Sequence, residues 1–139
     1  LFDWDTTTDR PEDTTGRLLA VADPTGQESP GLVADLAGYL PAPEAWELLR
    51  AYETRQWLEI HTADIPAAWA TARAQAPAGA LAPGTSAYTV TGTRHRAGVW
   101  DGEPVATAHP VAFTVFVVCA PTYERCHLLR LSRLDEPLT

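Results

Sequence analysis

Two apolar runs near the C-terminus, Val115-Phe116-Val117-Val118-Cys119 and Cys126-His127-Leu128-Leu129-Arg130-Leu131, flank the loop Ala120-Pro121-Thr122-Tyr123-Glu124-Arg125. Such a pattern reads as an antiparallel hairpin with one cysteine on each strand where the pair begins to splay. Directly opposed positions hold their Cβ atoms about 4.5–5.5 Å apart, a separation that a disulfide can bridge. These are the only two cysteines in the chain. The spacing therefore predicts a Cys119–Cys126 bond, and with it a compartment outside the cytoplasm.

The Asp101-Gly102 pair is the second strong signal, since it suits a two-residue hairpin turn. It predicts long strands from Ser86 to Val99 and from Glu103 to Cys119, with a last strand from Cys126 to Leu134. Phe113, Val115, Phe116, Val117 and Val118 are apolar on both faces, which marks the middle strand as central. Pro110 cannot donate to a ladder, so it belongs at an edge or a bulge. Upstream, Asp9-Arg10-Pro11-Glu12 reads as a helix start, leading to Leu18, Leu19 and Ala22. Ser29-Pro30 starts a second helix, with Leu32, Leu36, Tyr39 and Leu40 at helical spacing. A third carries Trp46, Leu49 and Tyr52. Gln56 to His61 reads as a strand, and Asp64-Ile65-Pro66 as the start of a helix bearing Trp69, Arg73 and Ala76.

Residues 1–8 are expected to be a lead-in or linker, and 9–139 a single domain; 139 residues suit one core. Helices followed by antiparallel strands make the class α+β, with the N-terminal helices packed on one face of a curved, mainly antiparallel sheet. The net charge is −8. It argues against a nucleic-acid binder, which needs basic groups to displace counterions, and against attraction to an anionic membrane. All ten basic residues are Arg, while Lys, Asn and Met are absent. The absence of Lys removes a Schiff-base lysine from this segment. The Arg bias points to a high-GC, actinobacterial genome. A chain that starts at Leu1 is expected to be a processed piece, with an anchor or signal upstream.

Chemistry-bearing residues are sparse. If pairs across the Asp101-Gly102 turn run in register, Tyr88 opposes Val115. If Cys119 opposes Cys126, Arg130 also opposes Val115. Tyr88, Val115 and Arg130 would then line one face in a row, a candidate pocket for an anionic ligand; the alternative is that Tyr88 packs and Arg130 reaches solvent. His61 with Asp64 is the one local acid–base couple, against the plainer reading of two surface residues. His61, His95, His109 and His127 lack zinc-site spacing, so no metal and no cofactor is expected. No nucleophile elbow, phosphate loop or dinucleotide fingerprint occurs.

The element order is similar to the nuclear transport factor 2-like, or cystatin-like, cone-shaped α+β fold. Residues 87–100 (Ala87-Tyr88-Thr89-Val90-Thr91-Gly92-Thr93-Arg94-His95-Arg96-Ala97-Gly98-Val99-Trp100) and 128–134 (Leu128-Leu129-Arg130-Leu131-Ser132-Arg133-Leu134) resemble extracytoplasmic domains of actinobacterial conjugative-element proteins, relatives of type IV secretion scaffolds. The resemblance implies a non-catalytic domain of an envelope assembly, with protein partners, self-association and a membrane helix upstream. It carries over no catalytic residue. The alternative on the same fold is a small-molecule binder or an isomerase- or dehydratase-like enzyme; fold alone does not choose.

Overall fold

The computed structural model describes residues 1–139. The class is α+β: four helices and a curled five-stranded antiparallel sheet in the order β1-β2-β3-β4-β5. The strands are β1 (Trp4–Asp5), β2 (Arg55–Asp64), β3 (Thr85–Trp100), β4 (Glu103–Val118) and β5 (His127–Leu131). The helices are α1 (Asp13–Ala20), α2 (Ser29–Leu36), α3 (Pro43–Ala51) and α4 (Ala68–Gln75).

The Asp101-Gly102 turn fixes the longest pairing. Both residues have positive φ, 52° and 79°, as a primed two-residue turn requires. From it β3 and β4 pair without a break, Trp100 with Glu103 through Thr85 with Val118. Their even-numbered β3 and odd-numbered β4 side chains share the inner face. There Val90, Val111 and Phe113 meet Leu32, Leu36 and Tyr39, and Leu131 joins them. Phe2 packs between Tyr39 and Phe113, at centroid distances of 6.0 and 5.3 Å. Burying such side chains contributes about 1.5–3 kcal/mol each. The Tyr39 hydroxyl donates to the Ser132 carbonyl at 2.7 Å. Burial pushes its pKa up to about 12, only partly opposed by the Ser132 bond.

Residues 1–8 pack as a lead-in: Phe2, Trp4 and Thr6 are buried, and Trp4 pairs with Gln56 as β1. Other expectations shift. The Asp9 carboxylate accepts the Asp5 amide at 2.8 Å, so Asp9 closes a turn and α1 begins only at Asp13. Asp64, expected to open a helix, is the last residue of β2, paired with Thr89. Helices α1 to α3 share the inner face, but α4 does not. Its Trp69 lies 6.0 Å from the ring of Phe116, which projects to the opposite side from Phe113 and Val115. That explains why this part of β4 is apolar on both faces.

Candidate functional site

Cys119 and Cys126 are bonded, with sulfurs 2.03 Å apart. The bridge closes the loop between β4 and β5, and the Cys119 amide donates to the Gly84 carbonyl at 2.9 Å. Gly84 has φ +88°, and a Cβ there would collide with the Ala120 carbonyl oxygen.

The Tyr88–Val115–Arg130 row does not form. Tyr88 does face Val115. Across the last hairpin, Val118 pairs with His127 and Val117 with Leu128, the register the cysteines set; then it slips by one, so that Phe116 faces Arg130 and Val115 faces Leu131. Leu129 is the extra residue of this bulge. A one-residue slip sends side chains to the other face. Leu131 thereby enters the core, and Arg130 leaves the side of Tyr88. Its guanidinium instead crosses α2: Nε meets Asp35 Oδ2 at 2.7 Å, Nη2 meets Asp35 Oδ1 at 3.0 Å, and Nη1 meets Glu28 at 3.3 Å. Gly31 leaves the room, since a Cβ there would stand 2.6 Å from the guanidinium carbon.

His61 and Asp64 do not meet in a hydrogen bond. His61 sits at a break in the β2–β3 register, with Nε2 2.8 Å from Thr93 Oγ1. Asp64 lies at the strand end, and both side chains are exposed. No three His, Cys, Asp or Glu side chains converge as metal ligands would.

A hollow of about 520 Å³ lies on the outer face. Trp69, Phe116, Val118 and Leu129 give it apolar walls, while Asp23, Tyr123 and Arg130 stand at its rim. The Tyr123 hydroxyl donates to Asp23 at 2.7 Å, and Thr25 donates to the same carboxylate at 2.7 Å. Hydrogen bonds from Thr25 and Tyr123 hold Asp23 below the usual carboxylate range; the bond to Asp23 raises Tyr123 in turn. These polar groups satisfy one another, so the walls of Trp69, Phe116, Val118 and Leu129 suit an apolar body, and a hydrogen-bonding end would have to exchange with the bonds at the rim. The sequence reading missed it because Asp23, Trp69 and Tyr123 are distant in the chain. The available signal was Phe116 and Val118, apolar at positions opposite in parity to the core residues Phe113 and Val115.

A second feature is an edge. Along β4, β5 covers only Val115–Val118. Past it, Ser132 and Asp135 bond to Thr114 and Ala112 through backbone and side chain. From Glu103 to Pro110 every residue of β4 is exposed. At the hairpin tip, Trp100 is 56% and Val105 46% exposed, on one face. No protein-family model, no curated protein and no solved structure matches the chain.

Proposed function

We propose that this is a protein-interaction domain of an extracytoplasmic envelope assembly, on a cone-shaped fold of the nuclear transport factor 2-like kind. The observation that carries the reading is the bare side of β4 over Glu103–Pro110, next to the exposed Trp100 and Val105. Sheet edges and exposed apolar patches are where proteins dock. On the inner face, where a pocket enzyme of this architecture would hold its substrate, Phe2, Leu32, Leu36, Tyr39 and Phe113 pack together, and the hollow of about 360 Å³ left beside Leu18, Leu58 and Val115 is lined almost wholly by apolar side chains. The disulfide supports an oxidising compartment. No helix is long and apolar enough to cross a membrane. The acidic charge makes proteins, rather than nucleic acid, the fitting partners.

Photocrosslinking in the native host tests this. A photoreactive residue at Trp100 is expected to capture other envelope proteins, and one at Arg73 on α4 is not. Recovery of the full-length protein alone from the cytoplasmic fraction would overturn the reading.

The outer cavity favours a second reading, a binder of a small apolar molecule with one polar end. Quenching of Trp69 fluorescence by such molecules, absent in Phe116→Ala, would favour it over the first.

A further inference from the structure

The bare stretch of β4 reads Pro104-Val105-Ala106-Thr107-Ala108-His109-Pro110. It is nearly a palindrome about Thr107: proline at both ends, alanine on either side of the centre. The space available has the same centre. The turn at Asp101-Gly102 bounds it on one side, and the Asp135 bonds to Ala112 bound it on the other. Thr107 lies midway between Gly102 and Ala112.

Backbone direction completes the picture. Ala112 and Thr114 direct their amides and carbonyls away from β3, to Asp135 and Ser132. The β3–β4 ladder has no bulge, so alternate residues keep that direction. Pro104, Ala106, Ala108 and Pro110 therefore present their backbones to the open side. Neither proline has an amide hydrogen to offer. The only free donors are the Ala106 and Ala108 amides, each with its own carbonyl.

Resting on the interaction reading above, we propose that the first partner of this edge is a second copy of the same chain. The two β4 strands pair antiparallel about a twofold axis through Thr107. In that register Ala106 opposes Ala108 of the second copy and Ala108 opposes its Ala106, so four hydrogen bonds use every free amide and both alanine carbonyls on each side. The prolines oppose each other, where neither needs a donor from the other. A shift of the axis by one residue either way sets an alanine carbonyl against a proline that cannot donate. A twofold interface must be complementary to itself, and this segment is so in sequence, spacing and bonding. Pro104 and Pro110 block pairing at the two ends of the segment, but between them it carries no acidic or Lys/Arg side chain, the other common guard against edge pairing. The joined sheet would have ten strands.

Sedimentation velocity over a wide concentration range tests the pairing. The expected result is a concentration-dependent doubling of mass, lost in Ala106→Pro/Ala108→Pro with melting temperature unchanged, since those amides serve no bond within the fold. A wild-type chain that stays monomeric up to millimolar concentration overturns the proposal, as does a dimer that survives the proline substitutions. Cysteine crosslinking checks the register. Thr107→Cys should give a covalent dimer under mild oxidation. Val105→Cys should not, because the two copies of residue 105 would lie about 13 Å apart at about 3.3 Å per residue. Equal crosslinking at both positions overturns the Thr107 axis. The outcomes separate from those of the function proposed above: a monomeric chain that still captures envelope proteins from Trp100 sinks the dimer alone, whereas a dimer that captures nothing else sinks the envelope reading alone.

Discussion

Arg130 and Asp35 form a two-pronged ion pair, Nε to Oδ2 at 2.7 Å and Nη2 to Oδ1 at 3.0 Å, that fastens β5 to α2. The same Oδ2 accepts the Leu131 amide at 3.1 Å. One carboxylate thus holds both the strand and the helix that supply Leu131, Leu32 and Leu36 to the core. The Arg130 side chain is 42% exposed and Asp35 15%, so solvent screening moderates the pair. Asp35→Ala is expected to lower unfolding stability by about 1–3 kcal/mol, mainly through the lost charge-assisted bonds and the orphaned Leu131 amide. Urea titration monitored by tryptophan fluorescence measures it; a loss below the error of the method would show the pair to be incidental.

The same carboxylate sets an acid limit. Burial pushes Asp35 up, but the Arg130 and Leu131 hydrogen bonds and the Arg130 charge outweigh it, leaving it below the ordinary aspartate value. A carboxyl with a depressed folded pKa contributes stability above its unfolded pKa, about 3.9, and loses it as pH falls through the folded value. Asp23 and Asp5 are depressed as well, chiefly by bonds from Thr25 and Thr7. Thermal unfolding should therefore be steady near neutrality and fall steeply below about pH 4. In Asp35→Asn the acid slope should be shallower. An unchanged slope would remove Asp35 from the account.

Reduction of the Cys119–Cys126 bridge frees a short loop, seven residues in separation. The chain-entropy treatment gives a loss of about 2–3 kcal/mol. The Cys119→Ser/Cys126→Ser variant should match the reduced wild type in urea midpoint. Unfolded, unreduced protein should show no reactive thiol with a chromogenic disulfide reagent.

Thr114 ties the C-terminal tail down. It is fully buried, and its Oγ1 accepts the Leu138 amide at 2.8 Å while lying 2.8 Å from Thr89 Oγ1. Thr114→Val keeps the shape and removes the acceptor, at a cost of about 1 kcal/mol. Hydrogen exchange at Leu138 should accelerate while that at Val111 and Phe113 stays slow. Equal acceleration at all three would indicate global destabilisation instead.

How much was legible in the sequence depended on the range of the forces involved. Asp101-Gly102 fixes its own dihedrals and the registers next to it, so Tyr88 opposite Val115 could be read from the chain. Arg130 could not be placed. Its face depends on a single extra residue, Leu129, whose bulge is favoured by Leu131 entering the core and by Asp35, nearly a hundred positions away, receiving the guanidinium. Asp9 misled because an aspartate three residues before a glutamate resembles a helix cap, whereas here it closes a turn on Asp5. The outer cavity was invisible for a related reason: Asp23 and Tyr123 stand a hundred positions apart, and the helix on which Trp69 sits packs on the opposite side of the sheet from the other three.

The segment after α1 lies along β5, with the Leu128 amide donating to Val21 at 2.9 Å and the Asp23 amide to Leu128 at 3.0 Å. The outer side of β5 is thus already occupied, and β2 on the other flank is interrupted at His61 and carries Glu59 and Asp64. A chain with two straight, open sides would propagate from copy to copy into a fibre. In the pairing proposed above, growth through the uncharged run of β4 would end after one addition, because each copy consumes the side it offers. Residues 21–23, by covering the outer side of β5, would then leave no second straight side for a third copy.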